Sequence, residues 1–297
     1  MRLGSLLLIF FIFTSSAVAQ EVEQLTYFDG VDTDPAISPD GQWMIYSSDR
    51  QKTGKLELWA MNLLTGEKFP FLRNVTVSSP VAWDVSGAGF LAALSENGDT
   101  ERIRYVDFNT RSMSDPLFPA PSGTRQLFPA LSLDNHTTAL AMLSDSDSTD
   151  WDLFLGDKST GEIIVIAHSP YRELWPRFEK GGKSLIYFSR RDTGGEDDEI
   201  YRYDLETASI QALTSSPGHD FTPHPSPDGK YIAFVSKRDT ENAVFLMDQN
   251  GANVRRVSPP GFRAGHPAWG PESKTLFLTL RIDSNPADIF RMQIGID

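Results

Sequence analysis

Three arginines and a histidine recur at one register of this chain. Arg125, Arg172, His219 and Arg263 each stand four residues before a proline, at successive steps of 47, 47 and 44 residues. Val31 and Thr76 fill the same slot upstream. Guanidinium groups held at one height on a periodic scaffold suit a carboxylate or phosphate, which they grip through paired N–H donors. The formal charge is −13, so such a cationic arc runs against the bulk field of the molecule. Glu173 and Asp220 adjoin two of these cations and could neutralise them as ion pairs between repeats. Both readings of the arc stay open at this point.

His219, His224 and His266 offer a second chemistry. They fall near the start of inner strands, and three imidazoles at a channel mouth could hold a metal, although no H-E-x-x-H pattern accompanies them. Hydrogen bonding between repeats is the alternative use. His136 lies in a predicted turn and His168 in a loop. Ser86, in Asp84-Val85-Ser86-Gly87-Ala88, lacks the first glycine of a nucleophile elbow and reads as a turn residue. The chain has no cysteine, which removes a thiol nucleophile, a thiolate zinc site and a lipid-bearing cysteine. The acidic runs Asp145–Asp152 and Glu196–Glu199 lack the glycine and terminal glutamate of a calcium loop and read as solvated faces. Arg50, Arg191 and Arg238 recur with Asp49, Asp192 and Asp239, and Arg281 stands near Asp283. The expectation is ion pairs that tie repeat to repeat. No pattern calls for a cofactor.

These residues need a scaffold, and the sequence repeats. The tetrapeptide SPDG occurs at Ser38–Gly41 and Ser226–Gly229. Its last position recurs as Gly41, Gly87, Asn135, Gly182, Gly229 and Ser273, at steps of 46, 48, 47, 47 and 44 residues. Glycine and asparagine tolerate the positive φ such a turn requires. Before each turn a strand carries Ile37, Trp83, Leu131, Phe178, Pro225 or Trp269 at one shared position; Pro225 is the exception to an otherwise apolar set. After it come a β-rich run, a polar loop and a third strand such as Glu57–Asn62 or Glu199–Asp204, then a shorter fourth strand. Repeats of this length point to blades or solenoid units. A four-stranded unit cannot bury both faces alone, whereas six in a ring can. The expectation is an all-β, six-bladed β-propeller with four antiparallel strands per blade. The last unit lacks its fourth strand. Val22–Tyr27 should supply it, since its "QLT" matches "ALT" at Ala212–Thr214 and "RVS" at Arg256–Ser258.

Arg2, the apolar run Leu6–Phe13 and Ala17-Val18-Ala19 form the pattern of a secretory signal peptide over residues 1–19, leaving 20–297 as the propeller. No later apolar run reaches the length of a membrane span. The acidic balance argues against nucleic acid as a partner.

The string P-x-x-S-P-D-G-x-x-I-x-[FY]-x-S followed by [DE]-[IL]-[YFW] resembles the WD40-like repeat of TolB-type propellers, here without the family's N-terminal α/β domain. The resemblance implies a periplasmic or secreted platform that binds a protein or an acidic ligand, with Arg125, Arg172, His219 and Arg263 as the candidate contacts. The alternative is a propeller enzyme, a lyase or hydrolase acting on an acidic saccharide, with the histidines at the channel mouth. The resemblance does not decide between them, and it leaves the partner's identity and the oligomeric state open.

Overall fold

A computed structural model describes residues 21–50, 54–143, 150–282 and 285–295. The segment read as a signal peptide, Asp145, Asp147 and Asp283 lie outside them. The described residues form 24 strands in six four-stranded sheets. The first strand, β1 (Val22–Gln24), is followed by blade 1: β2 (Asp32–Ile37), β3 (Trp43–Ser48), β4 (Glu57–Asn62) and β5 (Lys68–Pro70). Blade 2 holds β6 (Val75–Val77), β7 (Ala82–Trp83), β8 (Gly89–Glu96) and β9 (Arg102–Asp107). Blade 3 holds β10 (Gln126–Leu131), β11 (Thr137–Leu143), β12 (Trp151–Asp157) and β13 (Ile163–Ala167). Blade 4 holds β14 (Glu173–Phe178), β15 (Ser184–Ser189), β16 (Glu199–Asp204) and β17 (Ile210–Ala212). Blade 5 holds β18 (Asp220–Pro225), β19 (Tyr231–Ser236), β20 (Ala243–Asp248) and β21 (Arg255–Arg256). The last three strands are β22 (Arg263–Trp269), β23 (Thr275–Arg281) and β24 (Asp288–Gln293).

The repeat register is set by the turn after each inner strand. Gly41, Gly87, Asn135, Gly182, Gly229 and Ser273 all have positive φ, between 58° and 75°. In the SPDG copies the serine and aspartate side chains hold the turn. Ser226 Oγ donates to Asp228 at 2.6 Å and accepts the Tyr231 N–H at 3.0 Å, as Ser38 does with Asp40 and Trp43. The second strand of each blade is the most buried, matched by the third strand in blade 5, and apolar side chains of neighbouring sheets fill the spaces between blades.

The sixth blade is closed by β1, which pairs antiparallel with β24 in the register Val22↔Met292 to Gln24↔Phe290. Just beyond β1, Thr26 repeats the bond that Thr214 and Ser258 make in blades 4 and 5. Its hydroxyl accepts the amide of the second residue of the third strand, Ile289, at 2.9 Å, as Thr214 does for Ile200 and Ser258 for Val244. Blade 2 departs from the pattern. Its inner strand is broken into β6 and β7, which both pair with β8, and its fourth strand is reduced to a bridge between Val106 and Met113. Adjacent inner strands are tied by indole donors: Trp83 Nε1 to the Ala36 carbonyl at 3.1 Å and Trp269 Nε1 to that of His224 at 2.9 Å. Among the described residues no helix is long and apolar enough to cross a membrane.

Candidate functional site

The inner strands run from the rim that carries the arc toward the SPDG-type turns, so residues counted from each proline occupy successive levels. Four residues before it stand the arc positions. Arg125 of blade 3 grips Glu101 of blade 2 with two bonds of 2.9 Å each. Arg172 of blade 4 grips Asp198 of its own blade through Nε and Nη2. Arg190 bonds the same carboxylate at 3.0 Å, and His219 Nδ1 of blade 5 lies 2.9 Å from it. Asp197 adds a second, more exposed carboxylate 3.9 Å from His219. Arg263 opens β22 and is exposed, and among the described residues no carboxylate makes an ion pair with it. Burial opposes ionisation of Asp198 and Glu101, but the arginine hydrogen bonds prevail and hold both carboxyls below their usual range. The neutralising partners are thus Glu101 and Asp198, not the sequence neighbours Glu173 and Asp220.

Those two neighbours occupy the next level, three residues before each proline, where Asp32, Gln126, Glu173 and Asp220 are all fully buried. Each acidic one is bound by the serine that ends its partner strand. Ser48 donates to Asp32 at 2.5 Å and Ser189 to Glu173 at 3.2 Å, and Ser236 bonds Asp220. The recurring arginine two residues on completes the unit in blades 1 and 5: Arg50 reaches Asp32 at 2.5 Å and Arg238 reaches Asp220 at 2.8 Å. The expected pairing with Asp49 and Asp239 is therefore corrected. These arginines pair within their own blade, with an acid the inner strand buries. Arg191 instead donates to the Tyr187 hydroxyl at 3.0 Å.

One residue before the proline, five strands share a bulge. Asp34, Phe128, Trp175, Thr222 and His266 all take positive φ, between 48° and 62°, and the strand pairing shifts register at each. Non-glycine residues rarely adopt this conformation, and bulges of this kind re-aim side chains. Here they turn them to the ring axis. Trp175 of blade 4 stacks on His266 of blade 6 with ring centroids 5.6 Å apart, and Phe128 of blade 3 lies 4.8 Å from Trp175. His266 Nδ1 is 2.6 Å from Thr33 Oγ1 and 3.4 Å from Asp34. This level was not singled out in the sequence, although the residue before each inner-strand proline was there to be tabulated.

One residue past the proline the axis widens. A cavity of about 200 Å³ is lined from all six inner strands, among them Ala36, Val81, Ala130, Arg177, His224 and Ala268. His219, His224 and His266 consequently sit at three different levels. The one cluster of metal-type donors among the described residues is Asp150, Asp152 and His168, in blade 3. There His168 Nδ1 meets Asp152 at 2.7 Å. Glu199–Thr214 and Asp288–Thr26 occupy the same place in blades 4 and 6, so the pair belongs to the repeat.

Residues 120–296 match the family described as the TolB beta propeller domain. No curated protein matches the chain by sequence. Among solved structures, a putative TolB from Agrobacterium tumefaciens has a TM-score of 0.67 at 18% identity, covering 93% of this chain and 98% of that one. TolB from Acinetobacter baumannii has a TM-score of 0.64 at 18% identity over 90% of this chain, which spans only 64% of that protein. An oligogalacturonate lyase in complex with manganese has a TM-score of 0.63 at 12% identity, covering 97% of this chain and 96% of the lyase. At these identities the likeness is one of fold.

Proposed function

The chain belongs to the TolB β-propeller family, and from that premise we propose that it is an exported binding module whose ligand face is the rim carrying Arg125, Arg172, His219 and Arg263. The carrying observation is the cluster at blades 4 and 5. Two guanidiniums share one buried carboxylate, and Arg172 Nη1 donates to no described residue. A guanidinium pre-oriented by a carboxylate behind it, with donors left over, suits an anionic segment arriving from solvent. Arg263 adds an exposed cation at the same level. The partner would be a protein bearing an acidic segment, or an acidic ligand. The family and the leader-like residues 1–19 support a periplasmic or secreted location. N-terminal mass analysis of the secreted chain should find it beginning near residue 20.

The test is an acidic peptide, titrated with parent protein and with the double variant Arg172→Ala/Arg263→Ala. Affinity should fall at least tenfold, about 1.4 kcal/mol, and the salt dependence of binding should weaken. The melting temperature should barely move, because the Asp198 carboxylate retains Arg190 and its backbone N–H retains His219 Nδ1. A lower melting temperature with unchanged binding would assign these residues to the fold alone. The likeness to a lyase supports a second reading, an enzyme acting on an acidic saccharide. The three-level separation of His219, His224 and His266 weighs against it. Stoichiometric metal in the purified protein would reverse that preference.

A further inference from the structure

The axial cavity holds a cation that the arc does not explain. Arg177 lines it, and among the described residues no carboxylate makes an ion pair with this guanidinium. Its Nη1 donates to the carbonyls of Pro176 at 3.0 Å and Pro129 at 3.4 Å, and its Cζ lies 5.5 Å from the centroid of the Trp175 ring. Two carbonyls and a ring fix its position without neutralising it. Asp34 acts on it only through space, and burial outweighs that help, lowering the guanidinium pKa to about 10; it stays charged at any physiological pH. The phosphate-like alternative is disfavoured by the rest of the wall. His224, the other polar side chain there, is kept neutral by burial and by Arg177, with its pKa down at about 3. The cavity thus offers one positive charge, which matches a monoanion.

His224 narrows the chemistry further. Its Nδ1 lies 3.3 Å from the Pro225 carbonyl, so that nitrogen carries the proton and Nε2 is left as an acceptor. A ligand that satisfies both groups carries a carboxylate and, beside it, an N–H or O–H donor. The remaining wall is apolar and includes Ile37, Leu131, Phe178, Trp83 and Trp269. We propose that this cavity binds an α-amido carboxylate with a short apolar side chain, the chemistry shared by a free N-acyl amino acid and by the last residue of a peptide. Arg177 would clamp the carboxylate and His224 would accept the amide N–H. The aromatic level of Phe128, Trp175 and His266 lies between this cavity and the arc, so the two sites are separate and neither proposal needs the other.

Calorimetric titration of the full mature protein with N-acetyl-leucine and with N-acetyl-leucinamide tests the idea without any mutation. The acid should bind at least tenfold more tightly than the amide, and Arg177→Gln should abolish the difference. Equal affinities, or no binding of the acid at 10 mM (about 2.7 kcal/mol), would overturn the proposal. A peptide ending in leucine, compared with its C-terminally amidated form, separates the two sources. Tighter binding of the free peptide than of N-acetyl-leucine assigns the site to a chain end, and weaker binding assigns it to a small molecule. If Arg177→Gln fails to fold, His224→Phe, which removes only the acceptor, should still weaken binding of the acid; unchanged binding would count against the assigned role.

Discussion

Several carboxyls of the inner and third strands are costly to ionise in the folded protein. Burial, against the opposing bonds from Ser169 and Ser189, raises Glu173 to about 7. Burial raises Glu199 to about 7, with Asp220 adding to the effect, and raises Asp288 to about 6, with Asp32 adding to it. Between the ordinary carboxylate range and these values the folded state holds protons that the unfolded chain has released. Stability must therefore fall as pH rises from about 4.5 to about 7, and level off above. Glu101 and Asp198 act in the opposite sense and in a lower window: their pKa values are depressed from ordinary values of 4.5 and 3.8, so their contribution is full above that range and is lost as pH falls below it. A maximum in melting temperature near pH 5 is expected, checked by calorimetry from pH 3.5 to 8.5. Glu173→Gln should flatten the descending limb, with an effect on the order of 2–3 kcal/mol above pH 7; an unchanged limb would show that Glu173 is ionised at little cost. This behaviour was not legible in the sequence. Glu173 and Asp220 were visible beside the arc, but only the fold shows that one position past it the chain turns inward and buries them beneath a serine.

The third strands were read most accurately. Glu57–Asn62 and Glu199–Asp204 have the expected bounds, because an opening acid, an apolar alternation and a closing polar residue frame each of them. The β-like sequences expected as fourth strands at Ser209–Thr214 and Val254–Ser258 pair only over Ile210–Ala212 and Arg255–Arg256, at the outer edge. The bulges were missed for a different reason. A residue before proline is expected in extended conformation, and nothing local says that Trp175 or His266 will take positive φ; that is imposed by six strands converging on one axis. At the shared position before each turn, Trp83, Phe178 and Trp269 were expected to be buried, and each packs in or against a cluster that spans two blades. Trp269 is buried and Trp83 and Phe178 are half-buried. Trp269→Ala, which also leaves the His224 carbonyl without its indole donor, should cost about 3–5 kcal/mol in a denaturant titration. A loss below 1 kcal/mol would contradict its place in the interface. Removal of residues 20–28 deletes β1, the Thr26 bonds to Asp288 and Ile289, and the ion pair between Glu23 and Arg291. It also exposes β24 as an open edge. A marked drop in melting temperature or aggregation is expected; a variant melting within a degree or two of the parent would mean that the ring does not depend on this strand.

Five blades are each built from one continuous stretch of chain, whereas the sixth joins residues 22–24 to residues 290–292. A polypeptide made from its amino end releases β1 first and its partner last. Until some 270 further residues have been added, β1 has no edge to pair with, and the nascent ring remains a spiral with two raw ends. Bringing those ends together carries the largest chain-entropy cost in the molecule. It also lets a defect anywhere in the ring be felt at the seam. In pulsed hydrogen exchange during refolding, the amides of β1 and β24 should gain protection after those of β15, β16, β19 and β20. Closure therefore works as a timing device: the ring is completed only once β24 has been made.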